Sequence, residues 1–191
     1  MTNPPGGRSS ATPKVEPCDA AASKAPPELG PPSKSDQPRR RKPAHFPAVE
    51  SDLRSTIIYL TVCTKRRRPL LANDTAADLL IQAWTAANHW LVGRYVILPN
   101  HIHLFCAPNT FPPSSLNNWI SFWKNHVTRR WPNRGEIPIW QTEYWDTQLR
   151  RGESYDEKWN YVENNPVRHG LVTRVEDWSY RGELNVLDWH D

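Results

Sequence analysis

From residue 55 onward the chain switches between two apolar periods, one of two residues and one near 3.6. Ser55-Thr56-Ile57-Ile58-Tyr59-Leu60-Thr61-Val62-Cys63 is β-branched and aromatic and predicts a strand. Asn73-Asp74 offers a helix cap, and the run from Thr75 to Trp90 sets Ala76, Leu79, Leu80, Ala83, Trp84 and Ala87 at helical spacing. Gly93 breaks that run. Arg94 to Leu98 and His101 to Cys106 predict two further strands. The Pro99-Asn100 connection is too short for a parallel crossover, so these strands are expected to pair antiparallel. Pro108 to Pro113 reads as a loop, and Ser114-Ser115 as the cap of a second helix with Leu116, Trp119, Ile120, Trp123 and Val127 on one face and Pro132 at its end. Ile137 to Leu149 is extended around Trp140, Tyr144 and Trp145, and Ser154 to Asn165 is a third helix stopped by Pro166. The order is strand, helix, strand, strand, helix, strand, then an extra helix. It predicts an α+β, ferredoxin-like split βαβ fold with an antiparallel sheet and helices on one face, plus a C-terminal helix that carries Tyr161.

The first fifty residues do not follow these periods. They hold eleven of the nineteen prolines, none of the ten tryptophans and one aromatic, Phe46. So few large apolar groups cannot offset the entropy of ordering the segment. Residues 1–50 are therefore expected to be a disordered, proline-rich basic tail, and residues 51–191 one folded domain. Net charge is +4, with Lys/Arg in clusters: Arg39 to Lys42, Lys65-Arg66-Arg67-Arg68, Arg129-Arg130 with Arg134, and Arg150-Arg151. Basic clusters interleaved with Trp and Tyr suit a polyanion with stackable bases, that is, nucleic acid; any single cluster is more often a solvated face, and it is the repetition that points to nucleic acid. Three cysteines, Cys18, Cys63 and Cys106, with no CxxC pair, give neither a disulfide framework nor a cysteine zinc site. No apolar h-region stands at the N-terminus and no run reaches the ~18 residues of a membrane span. The expectation is a soluble protein of a reducing cytoplasm, away from membranes.

Strand alternation puts His101 and His103 on one face, about 6.6 Å apart along it, with Ile102 pointing into the core. Two neutral imidazoles at this spacing can share a divalent ion, or can simply bond local backbone and water. A metal needs a further ligand. Tyr161 and Asn165 lie four apart, about 5.4 Å along one helix face, and offer a phenol and an amide on one rod. Taken alone they read as an ordinary core aromatic and a helix C-terminal residue.

Four stretches together carry a family pattern: Arg66-Arg67-Arg68-Pro69-Leu70, Leu98-Pro99-Asn100-His101-Ile102-His103-Leu104, Trp140 to Arg151, and Tyr161-Val162-Glu163-Asn164-Asn165-Pro166-Val167-Arg168-His169-Gly170-Leu171-Val172, continuing to Glu176-Asp177-Trp178. From about Ile57 to Trp189 the chain resembles the REP-associated tyrosine transposases, single-tyrosine members of the HUH (His-hydrophobic-His) endonuclease superfamily. The resemblance implies that His101 and His103 bind Mg²⁺ or Mn²⁺, that Asn165 is the third ligand and that Tyr161 is the nucleophile. Thr147 stands where relatives often carry histidine and His169 where alanine is common, both apart from the catalytic set.

A tyrosine phenol has a pKa near 10, so a nearby ion or base must favour the phenolate. A divalent ion also neutralises charge growing on the phosphoryl oxygens, and an ordered helix supplies in-line placement. The resemblance implies cleavage of single-stranded or hairpin DNA through a 5′-phosphotyrosine link, by a bacterial cytoplasmic protein that joins the nucleoid when bound to DNA, as a monomer or homodimer. Lys65, Arg66, Arg67, Arg68, Arg129, Arg130, Arg150, Arg151 and Arg168 are the candidate DNA contacts, with Trp119, Trp123 and Trp131 as weaker ones. Two alternatives compete: a catalytically silent hairpin-DNA-binding protein, and a metal-dependent phosphohydrolase in which the two histidines activate water.

Overall fold

β-Branched and aromatic residues build the centre of the molecule. Strand β1 (Ile58–Thr64) lies between two partners, β3 (His101–Pro108) and β4 (Trp140–Gln148). β2 (Trp90–Leu98) pairs with β3 across the Pro99-Asn100 turn, and a short β5 (Arg181–Glu183) closes the far edge of β2. The order is β4-β1-β3-β2-β5, with every neighbouring pair antiparallel. The first four strands have the expected split βαβ order, and β5 is an addition to it. The computed structural model describes residues 56–149 and 153–188. The expected tail, residues 1–50, and the candidate contacts Arg150 and Arg151 lie outside the described residues.

Alternation divides the sheet into two apolar faces. Ile58, Leu60 and Val62 of β1 join Ile102, Leu104 and Cys106 of β3 under helices α1 (Asp74–Ala86) and α2 (Leu116–Arg130). Trp84, Trp119 and Trp123 fill the space between these helices and the sheet, and meet edge-on. Ile57, Val96, Leu98 and Phe105 point the other way and are covered by Tyr155 and Val162 of α3 (Tyr155–Glu163) and by Leu187. Two helices thus share one face, as the element order implies, while the tyrosine-bearing helix takes the opposite one.

The caps lie where side-chain chemistry directs. Asn73 accepts from the Ala76 N–H at 3.0 Å, and Ser115 and Ser154 accept from Asn118 and Glu157. Two ends differ from the sequence pattern. α1 stops at Ala86 because Trp90 turns into β2, where its ring is buried and its indole N–H donates to Ser114 O at 3.1 Å. Pro166 does not simply stop α3. The helix yields at Asn164, and a further turn, α4 (Asn165–Arg168), holds Pro166 in its first positions, where no amide donor is needed. Gly170, at φ +65, ends this turn in the left-handed region that glycine adopts freely. Among the described residues no helix is long and apolar enough to cross a membrane.

Candidate active site

β3 presents His101 and His103 on the α3 side of the sheet, while Ile102 is buried beneath α1 and α2. The two rings stand 4.7 Å apart between centroids and are nearly perpendicular, at 87°. Each is anchored through Nδ1. His101 Nδ1 donates to Asn100 Oδ1 at 2.6 Å, which leaves Nε2 with a free lone pair. His103 Nδ1 lies 2.7 Å from Tyr59 Oη and 2.9 Å from Thr61 Oγ1, both on the neighbouring strand β1. A proton on that nitrogen likewise frees Nε2. Burial holds the His101 imidazole down at about 3, with Arg67 and His169 adding like-charge repulsion. His103 is also pushed well below its usual value, by burial first and then by His101, His169, Arg67 and Arg168. Both rings are therefore neutral at neutral pH, the form that ligates metal.

Tyr59 adjoins the pair and Tyr161 lies near Tyr59, and their environments separate them. Tyr59 is stacked on His103 with centroids 5.5 Å apart, and burial pushes its phenol up to about 12. It is a fixed hydrogen-bonding group, not an available nucleophile. Tyr161 of α3 is 61% exposed. It stands close enough to Tyr59 for its charge to be felt there, as does Arg168. The Arg168 guanidinium lies over the Tyr161 ring, 3.7 Å from its centroid, and donates to Tyr161 O at 2.6 Å. The phenol-bearing helix thus does reach the histidine face from far along the chain.

The basic residues sort into different roles. Lys65–Arg67 form a tight turn after β1 in which Arg66 (φ 58) and Arg67 (φ 54) occupy the left-handed region, sparsely used by residues with a Cβ. That turn aims Arg67 at Trp145, 5.9 Å from the ring, and close enough to act on both histidines. Lys65 and Arg66 are exposed beside it. Arg68 turns inward instead and donates to the carbonyls of Glu136 and Pro138. Arg129 and Arg130 are exposed at the end of α2, the layer on the other side of the sheet from the histidines. The expectation of DNA contacts from Trp119, Trp123 and Trp131 is corrected: all three are buried, and Trp131 spends its indole N–H on Glu136 at 2.6 Å.

No protein-family model matches the chain. A REP-associated tyrosine transposase of Escherichia coli (strain K12) is 29% identical over 106 residues, which cover 51% of this chain and 61% of the relative. A Haemophilus influenzae relative given the same family name is 32% identical over 114 residues, covering 49% and 62%. A solved structure of a REP-associated tyrosine transposase bound to a REP hairpin is 25% identical and superposes with a TM-score of 0.57 over 68% of this chain and 77% of the other. This chain is a homologue of the REP-associated tyrosine transposases. The match spans less than two thirds of the length of the two curated relatives.

A further expectation is corrected: His169 is not apart from the residues expected to be catalytic. Its ring lies 5.9 Å from that of His101, and its charge acts on both β3 histidines. The physical reason is the extra turn α4, which keeps the chain helical past Pro166 so that His169, four residues after Asn165, returns to the same side. That spacing was visible in the sequence once Pro166 is treated as a first-turn residue. Asn165, the ligand expected from the family, has its amide engaged: Nδ2 donates to Val162 O at 2.8 Å, and Oδ1 accepts from Arg168 at 3.0 Å. His101 and His103 fit a divalent ion. With metal–nitrogen bonds of about 2.1 Å, two imidazoles on one ion hold their centroids roughly 4.6 to 5.3 Å apart, and 4.7 Å lies in that range.

Proposed function

We propose that the chain is a metal-dependent single-strand DNA nicking and joining enzyme, a transposase that cleaves hairpin-forming DNA through a 5′-phosphotyrosine on Tyr161. One observation carries the reading: a perpendicular pair of neutral imidazoles and an exposed phenol under a guanidinium share one side of the sheet. A solved homologue bound to a REP hairpin supports hairpin-forming DNA as the substrate class.

In the proposed reaction the Tyr161 oxygen attacks phosphorus in line. A phosphotyrosine bond forms, the bond to the 3′ oxygen breaks, and the phenol proton ends, through solvent, on the freed 3′-hydroxyl. The bond energy is kept in the tyrosyl ester, so a 3′-hydroxyl can reverse the step and join strands. His101 and His103 would hold Mg²⁺ or Mn²⁺, with Asn165 as the third ligand on the family pattern. When bound, such an ion supplies Lewis-acid neutralisation of the charge growing on the phosphoryl oxygens. Tyr59 and Thr61 fix the plane of the His103 ring. Arg168 holds the Tyr161 ring against the helix end, and Arg67 with Lys65 and Arg66 supplies positive charge for the strand backbone.

The test is a denaturing-gel assay for a covalent protein–DNA adduct, using single-stranded hairpin DNA from the sequence flanking the gene, with Mn²⁺. An adduct that EDTA abolishes, and that H101A and Y161F lose while still binding the hairpin, supports the reading. Tight hairpin binding without adduct from the unaltered protein identifies a silent binding protein instead. Cleavage undiminished in Y161F identifies a hydrolase.

A further inference from the structure

One tryptophan stands outside the packed interior. Every other described tryptophan belongs to one of the two apolar clusters, as Trp123 and Trp140 do on one face of the sheet and Trp159 and Trp178 on the other. Trp145 belongs to neither and is partly exposed. The register fixes where it points. Thr61 of β1 pairs with Trp145 of β4 on one side and with His103 of β3 on the other. Residues paired across a sheet project from the same face, so Trp145, Thr61 and His103 form one row on the histidine face. With strands about 4.8 Å apart, Trp145 stands two spacings, about 9.6 Å, from His103 along that row.

Arg67 connects the two ends of the row. Its guanidinium is 5.9 Å from the centroid of the Trp145 ring, and its charge acts on both histidines. It does not close the ring face. A guanidinium in stacking contact stands nearer, as Arg168 does over Tyr161 at 3.7 Å. The Lys65–Arg67 turn holds two residues in the left-handed region to place this charge.

We infer, on the reading that the chain acts on hairpin-forming DNA, that Trp145 is a stacking platform for an unpaired base beside the phosphate at the histidines, with Arg67 holding the backbone of that nucleotide. The row reaches from a phosphate over the histidines to the base of an adjoining nucleotide. Base–aromatic stacking tolerates every base, and its loss on alanine substitution costs roughly 5- to 140-fold in affinity per base. A base inside a duplex has both faces covered by its neighbours and must leave the stack to be held in this way. Trp145 therefore selects a single-stranded flank beside the hairpin rather than a sequence.

The test measures binding in EDTA, with full-length protein and a hairpin oligonucleotide that carries single-stranded flanks. 2-Aminopurine replaces each unpaired flank base in turn, because stacking on an aromatic ring quenches its fluorescence. One flank position is expected to be quenched by the unaltered chain and by W145F, and by neither W145A nor W145L. Both of the latter are expected to lose at least fivefold in affinity for the flanked hairpin, and to bind the same hairpin without flanks as the unaltered chain does. An abasic nucleotide at the quenched position is expected to cost the unaltered chain the same factor and to cost W145A nothing further. Thermal melts check that each variant is folded, and W145L keeps most of the side-chain volume without the ring. Full affinity with an unchanged quench in W145A or W145L overturns the platform, as do equal losses on the flanked and flankless hairpins. If the Trp145-dependent quench is present but no adduct forms in Mn²⁺, the platform stands and the covalent chemistry falls. If the adduct forms and no flank position depends on Trp145, the platform falls and the chemistry stands.

Discussion

The orientation of His103 gives the prediction with the most structural detail. Its Nδ1 has two oxygen partners on the adjacent strand, Tyr59 Oη at 2.7 Å and Thr61 Oγ1 at 2.9 Å. Removing the outer-shell partner of a metal-bound histidine typically costs 10- to 100-fold in metal affinity, about 1.4 to 2.8 kcal/mol. Here either hydroxyl substitutes for the other. Y59F alone and T61V alone are therefore expected to weaken Mn²⁺ binding by less than about threefold, well under that range. The double variant Y59F/T61V leaves Nδ1 with neither partner and is expected to lose the full 10- to 100-fold. The two changes are thus non-additive, because the residues share one partner atom. Stacking of residue 59 on the His103 ring, 5.5 Å between centroids, survives in phenylalanine, so the site keeps its packing. Mn²⁺ calorimetry on the four proteins, with H103A as the reference for complete loss, measures the effect. A double variant that binds Mn²⁺ as tightly as the unaltered chain refutes the claim that these hydroxyls set the ligating face of His103. Equal losses from each single variant refute the redundancy.

Four further outcomes follow from packing, capping and charge. Trp123 is fully buried between α1, α2 and the sheet, so W123A is expected to destabilise by about 3 to 5 kcal/mol in urea unfolding. Asn73 satisfies the Ala76 amide at the start of α1, so N73A is expected to cost about 1 kcal/mol in the same assay. A Cβ at Gly93 would stand 2.7 Å from Leu187 Cδ1 and 3.0 Å from Tyr155 Oη, so G93A is expected to lower Tm and expose the Leu187 segment to limited proteolysis. R67A is expected to weaken hairpin-DNA binding and flatten its salt dependence, whereas R68A, which breaks two carbonyl contacts, lowers Tm instead; fluorescence anisotropy across a salt series separates the two.

Most of the sheet was legible because its signals are local. β1 is a run of β-branched and aromatic residues, β3 is an apolar run that carries the two histidines, and the two-residue Pro99-Asn100 link admits only an antiparallel neighbour. His101 and His103 could be placed on one face by period alone. The side chosen by α3 could not, since an amphipathic helix states that it covers something without saying which face of a two-sided sheet. The roles of individual cations were equally hidden. Arg66, Arg67 and Arg68 are adjacent, yet two left-handed residues send Arg67 to the site while Arg68 reaches carbonyls near β4. Trp131 stands just before the helix-ending Pro132, among arginines that suit a DNA contact. Its burial depends on Glu136, which accepts its indole N–H from a turn beyond Pro132. His169 escaped for a single reason, the treatment of Pro166 as a stop where it begins a new turn.

The central claim is that Tyr161, and not the buried Tyr59 beside it, forms the link to DNA at the histidine face. Peptide mass spectrometry of the adduct trapped with Mn²⁺ on a hairpin oligonucleotide tests it most directly. The account predicts a nucleotide mass on the peptide carrying Tyr161, absent when H101A is used. A nucleotide on the Tyr59 peptide, or one on Tyr161 formed equally well without His101, contradicts it.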